Sequence, residues 1–356
     1  MQEKNSLSND PEEKTAAELS EKKSRNKTVL PLLVILSCAL LFLLAFFLVV
    51  TRNKNGTPQP AKDNPTALQP QVSVDDYCQN NTHDYLLEEV LVNPETVCIL
   101  RLAETSQVAS LAAVSSHLTH VQTIYFNKND AAIPPELGDL VSLTTLNFHH
   151  TVNTSLPPEI GKLKNLTILH MSKTDIEELP PEVGDLQNLT SLTVRLNAKP
   201  VIIPQAIAKL PNLNVLTIWG NPGVSLPESF SETQSIEYLD LTNNKLTEVP
   251  PAVYPLHRLK ILNLSRNKIS SIAVDIGMLT ELRALRLDNN NLAEVPALGT
   301  LRHLETLTLN NNKLTKLPEG IETLEKLQYL NLSGNKINKA SLDMLKQKLP
   351  NAQIVH

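Results

Sequence analysis

The side chains of this 356-residue sequence that could do chemistry are few. His149, His150 and His170 fall close enough in the chain's pattern to suggest imidazole ligands for a metal ion. No Cys or carboxylate joins them at ligand positions, and a zinc or transition-metal site needs several such donors. Solvated polar residues are the plainer reading, so no metal and no cofactor is expected. Cys78 and Cys98 lie twenty residues apart and could form a disulfide in an oxidising compartment. The alternative is two separate thiols, and sequence does not decide between them. No G-x-S-x-G, phosphate-binding loop, H-E-x-x-H or kinase signature set occurs, so the chain is not expected to be an enzyme. What remains is binding chemistry. Tyr125, His149, His170, Lys173, Arg195, Trp219, Tyr238 and Asp240 supply rings, cations and a carboxylate at recurring intervals. Trp, Tyr and Arg are the residues that most often dominate interface energy.

A repeat positions these residues. It is clearest at Leu304-Glu-Thr-Leu307-Thr-Leu309-Asn-Asn-Asn312-Lys-Leu314-Thr-Lys-Leu317-Pro318, and its frame returns at Ile236, Leu259 and Leu282. With more drift it recurs at Val121, Leu143, Leu166, Leu189, Leu213 and Leu327. The start-to-start spacings are 22, 23, 23, 24, 23, 23, 23, 22 and 23 residues, a period that marks a solenoid. In Leu-x-Leu both leucines point to one face of a short strand and the residue between them points to the other. One turn cannot bury its leucines alone, whereas stacked turns share a continuous interior. The outward position between the last two apolar residues holds Tyr125, His170 and Asp240. The next outward row holds His149, Arg195 and Trp219, with Lys173 and Tyr238 beside these rows. Trp219 is the chain's one Trp, at a place where the core does not require it. These eight residues are expected to form a partner-binding patch. The alternative for Trp219 is local packing on Arg195 with cation–π character.

The ten repeats resemble the leucine-rich repeat family. The continuation Leu156-Pro-Pro-Glu-Ile160-Gly-Lys-Leu163 resembles its 23-residue class, found in Ras-interacting and many bacterial proteins. The resemblance implies an α/β fold: a leucine-rich-repeat solenoid, coiled right-handed and curved, with a parallel sheet on its concave face. It also implies a module that recognises protein rather than one that carries out a reaction. An asparagine column (Asn129, Asn197, Asn221, Asn244, Asn267, Asn290, Asn312, Asn335) reads as structural, since one amide can satisfy backbone groups of two turns. Thr151 and Thr174 replace it in two turns, which should be less regular.

Along the chain, residues 1–28 read as a polar tail and 29–50 as an uncharged run long enough for one transmembrane helix, a signal anchor. Residues 51–76 form a Pro-containing linker and 77–102 an N-terminal cap with the first strand. The repeats occupy 103–338 and a closing cap 339–356. Within the N-terminal cap, residues 85–92 have helical spelling, and the segment 103–120 could be a helix. Lys22, Lys23, Arg25 and Lys27 precede the apolar run, against Arg52, Lys54 and Lys62 after it. That bias favours a cytoplasmic N-terminus, with the repeats at the cell surface or in the periplasm. The alternative is a cytoplasm-facing scaffold of the Ras-interacting type. Sequons at Asn55, Asn80, Asn153, Asn165, Asn188, Asn263 and Asn331 largely follow from the repeat spelling. A net charge of −5 and the lack of a basic stripe argue against nucleic acid as a partner. The expected partners are a protein and, through 29–50, a membrane.

Overall fold

The structure, a computed structural model, describes residues 84–86, 90, 94, 97–128, 130–152 and 155–356, all within the unit Gln71–His356. The expected tail 1–28, transmembrane run 29–50 and linker 51–76, together with Cys78, Asn129 and the sequons Asn55, Asn80 and Asn153, lie outside the described residues. Among the described residues no helix is long and apolar enough to cross a membrane.

Each turn contributes one short strand, and each strand pairs in parallel with the next. The principal strands are β1 (Asp84–Leu86), β2 (Ile99–Leu102), β3 (Thr123–Asn127), β4 (Thr145–His149), β5 (Ile168–Ser172) and β6 (Ser191–Arg195). A side strand β7 (Val201–Ile202) precedes β8 (Val215–Trp219), and a second side strand, β9 (Val224–Ser225), follows it. The series continues with β10 (Tyr238–Asp240), β11 (Ile261–Asn263), β12 (Ala284–Arg286), β13 (Thr306–Thr308), β14 (Tyr329–Asn331) and β15 (Gln353–Val355). Thirteen of them form one sheet in chain order, while β7 and β9 pair separately. The register is uniform: Leu146, Leu169, Leu192, Leu216, Leu239 and Leu262 stand side by side across successive strands.

The leucine frame explains this sheet. Leu239 and Leu241 are fully buried on either side of Asp240, as are Leu262 and Leu264, Leu285 and Leu287, and Leu307 and Leu309. Each such side chain contributes roughly 1.5–3 kcal/mol relative to exposure. The return segment of most turns is a 3₁₀ helix, such as Pro158–Lys162 and Pro181–Asp185. Proline at its first position starts it with φ already set. The glycine that follows is there for space: a Cβ on Gly184 would stand 2.6 Å from the Cβ and carbonyl oxygen of Ala206 in the next turn.

The asparagine column closes the turns on one another. The Asn221 side-chain oxygen accepts from the Asn197 backbone N–H at 3.1 Å, and Asn244 accepts from Asn221 at 3.1 Å. Asn267 accepts from Asn244 at 2.9 Å, while the Asn244 amide donates to Ile218 O. Thr174 joins the ladder through Asn197, but among the described residues the buried Thr151 hydroxyl has no partner.

The expected helical stretch 85–92 needs correcting at its start. Asp84–Leu86 is a strand, in register with Ile99–Arg101. The β2 edge offers a row of unpaired backbone groups, and pairing there outweighs local helical spelling. The segment 103–120 holds helix α1 (Thr105–Val114), which buries Val108, Leu111 and Val114. At the other end helix α2 (Lys339–Lys348) is capped by the Asn338 side chain, buries Leu342 and Leu345, and leads into β15.

The turn at Phe230 departs from the frame. Thr233 stands where Leu186, Leu210 and Leu256 stand in other turns, and it is buried with an unpartnered hydroxyl. Phe230, fully buried at the place of Ile207 and Val253, fills the interior instead.

Candidate functional site

The solvent-facing side of the sheet carries two rows. In the first, Tyr125, Asn147, His170, Thr193, Thr217 and Asp240 lie in register across β3 to β10. In the second, His149, Ser172, Arg195 and Trp219 close the C-terminal ends of β4, β5, β6 and β8. Lys173 follows the second row directly, and Tyr238 starts β10.

The second row is cross-linked by its own side chains. Arg195 Nε donates to Ser172 Oγ at 3.3 Å, and its guanidinium carbon lies 5.9 Å from the Trp219 ring centroid. That contact covers Ser172, which is fully buried although its strand position faces outward. Thr242 and Ser265, in the same row, are buried too, as is Asn263 in the row beside it.

The residue after each of β3, β4 and β5 adopts a left-handed conformation, with φ of 48° at Lys128, 54° at His150 and 54° at Lys173. Their backbone N–H groups donate to His149 O, Ser172 O and Arg195 O on the next strands, at 2.9, 3.0 and 2.9 Å. This pairing holds a conformation that otherwise costs a non-glycine residue about 1 kcal/mol or more. Lys173 Nζ stands 2.9 Å from His150 Nε2, which must therefore be the accepting nitrogen beside an ammonium group. The His150 ring meets that of His149 edge-on, with centroids 4.6 Å apart.

Burial sets the electrostatics here, and nearby positive charge adds to it. Burial, then Arg195 and His149, lower the His170 pKa to about 4. Burial also lowers that of His149, helped by His150, Lys173, Arg195 and Lys128. Both imidazoles are thus neutral at physiological pH. Among the described residues no cluster of three or more His, Cys, Asp or Glu is arranged to hold a metal ion.

Asp240 and Tyr238 form a separate polar network on β10. The Tyr238 hydroxyl donates to Asp240 Oδ2 at 3.4 Å, the Thr242 N–H donates to Asp240 Oδ1 at 2.8 Å, and Asn263 Nδ2 donates to Oδ2 at 3.3 Å. Burial raises the Asp240 pKa while these donors hold it down. Of the eight candidate residues, six therefore lie on β3 to β8 and its immediate flank, and two belong to the neighbouring network.

Sequence reasoning passed over two side chains beside this region. Arg101 on β2 lies 4.5 Å from the Tyr125 ring centroid. Lys128 belongs to the left-handed row, and its signal was the position one residue beyond each strand. Cys98 is buried and disulfide-bonded; the expected partner, Cys78, lies outside the described residues.

Comparison with known families places the repeats. "Leucine-rich repeat region" matches residues 120–225, and "Leucine rich repeat" matches 234–292 and 294–345. The array of this chain is a leucine-rich repeat region, a class of protein-interaction modules. No curated protein shows a significant match. Among solved structures, the plant peptide hormone receptor RGFR1 in complex with RGF2 is 26% identical. That match covers 72% of this chain and 45% of the receptor chain, with a TM-score of 0.52. The leucine-rich repeat domain of the type III effector XopL is 26% identical, covering 62% of this chain and 79% of that one at a TM-score of 0.55. An internalin from Listeria monocytogenes shares the fold at 21% identity and a TM-score of 0.56, over 76% and 82% of the two chains.

Proposed function

We propose that this chain is a non-enzymatic, membrane-anchored recognition protein that docks a protein partner on the open sheet face, outside the cytoplasm. The observation that carries the reading is the row His149, Ser172, Arg195 and Trp219, which ends on the chain's one indole, part-buried beside a cation. Large side chains at positions the interior does not need are what an interface uses. The plant receptor of similar fold, solved with a peptide hormone, supports a polypeptide as the ligand class. The uncharged run 29–50 supports anchoring. The bonded state of Cys98 supports an oxidising compartment, and pairing with Cys78 would tie the N-terminal cap to β2.

The test is capture of proteins from the cell envelope or host surface by the full chain, compared with the double variant Arg195→Ala, Trp219→Ala. The expected result is a partner retained by the wild type and lost by the variant. Unchanged capture would show that another surface binds. Protease accessibility of the repeats in intact cells tests the address, and protection from added protease would favour the cytoplasmic scaffold instead.

A further inference from the structure

The sheet face is not evenly charged, and the imbalance bears on the kind of partner it fits. The strands β2, β3, β4, β5, β6 and β8 contain no Asp or Glu. Along the C-terminal ends of those strands stand Lys128, Lys173 and Arg195, and none of the three is ion-paired among the described residues. Four cations away from this face are ion-paired. Lys162 pairs with Asp139, Lys199 with Glu177, Lys260 with Glu237 and Arg283 with Glu305. Each of these pairs lies off the two outward rows. What sets this part of the face apart is that its strands carry no carboxylate while three cations stand at their ends.

Neighbouring groups register the same imbalance. The His149 pKa is lowered first by burial and then by nearby groups that include the cations Lys173, Arg195 and Lys128, with no carboxylate acting against them. The carboxylates of the face begin further along, at Asp240 and Asp288, and both are already occupied by donors. Asp288 accepts from Ser265 Oγ at 2.6 Å and Thr308 Oγ1 at 3.0 Å.

We propose that the docking face from β3 to β8 takes an extended acidic segment of a protein partner, its carboxylates set on Lys128, Lys173 and Arg195. The proposal rests on the protein-docking reading above and names the chemistry of the ligand. Geometry fits an extended chain. Four strand steps of roughly 4.8 Å separate β3 from β8, about 19 Å in all, which is the reach of about six extended residues. The outward row beside the cations carries Asn147, His170, Thr193 and Thr217, whose polar side chains can hydrogen-bond a peptide backbone. Arg195 offers a planar fork suited to a carboxylate, and Trp219 beside it can shield that pair from water.

The experiment uses the purified full chain and dye-labelled peptides of about six residues, oligoglutamate, oligothreonine and oligolysine, read by fluorescence anisotropy. Emission of Trp219, the single indole, serves as a second readout. Oligoglutamate should bind saturably and weaken as salt rises, while the other two stay silent. Arg195→Gln and Lys173→Gln should each weaken it about tenfold, the effect of losing one charge-assisted contact. Lys199→Gln, which removes a paired cation, should leave it unchanged. Silence of oligoglutamate, or equal losses in Lys199→Gln and Arg195→Gln, would overturn the proposal. Tighter binding of a heparin-derived oligosaccharide to the same patch would overturn it too, in favour of a sulfated polysaccharide. If Arg195→Ala, Trp219→Ala abolishes partner capture while oligoglutamate stays silent, the docking face stands and only the acidic ligand falls.

Discussion

Arg195 reaches across two strands at once, donating to Ser172 Oγ at 3.3 Å and resting 5.9 Å from the ring centre of Trp219. Local packing and partner binding are therefore not rival accounts of the indole. Under the proposed docking, this contact would hold both side chains in one orientation before a partner arrives and so lower the entropy cost of binding.

From this follows a difference between two measurements. Trp219→Ala should lower stability by only about 0.5–1 kcal/mol, the size of a partly exposed cation–π contact. Partner capture should fall by at least about tenfold. Denaturant unfolding and capture on the same preparation separate the two effects. A large stability loss matched by capture loss would make Trp219 structural.

His170 should make stability depend on acidity. Its pKa lies near 4 in the folded protein, below the ordinary histidine value of 6.5, so the unfolded chain binds its proton more readily. The stabilisation is complete above about pH 6.5 and is lost as pH falls toward 4. Because His170 is part-buried, the loss should be on the order of 1–2 kcal/mol. Denaturant midpoints measured across this range should fall in the wild type and flatten in His170→Gln.

Gly184→Ala should destabilise the third and fourth repeats. The added carbon would meet Ala206 Cβ and O at 2.6 Å, closer than any ordinary contact, and the neighbouring turn must shift. Overpacking of this kind costs about 1–3 kcal/mol. Thermal unfolding reads it directly.

Thr233→Val should have the opposite sign. The hydroxyl is buried without a partner, and valine keeps its shape while removing the orphan. A gain of about 1 kcal/mol is expected in chemical denaturation. Asn244→Ala, by contrast, should cost about 2 kcal/mol or more, since it leaves both Asn221 N–H and Ile218 O without their partner.

The sheet was legible because one residue type repeats at one spacing. Leu239 and Leu241 must share an interior, and Asp240 must then face outward. The amide ladder was legible for a similar reason, since Asn244 recurs where no side chain but an amide serves two turns. Other features depend on long-range pairing and escaped. Asp84–Leu86 spells a helix locally and becomes a strand only because β2 presents an edge. Ser172 reads as outward yet is covered, because Arg195 arrives from the next strand. The lowered His170 pKa comes first from its burial and then from Arg195 on the next strand, neither of which spacing puts on the page.

The unpartnered Thr151 hydroxyl sits one turn before the amide ladder takes hold at Thr174. The strands on either side of that turn nonetheless pair over five residues each, against three in the ladders from β10 to β14, so longer edges offset the missing rung and keep the coil closed there.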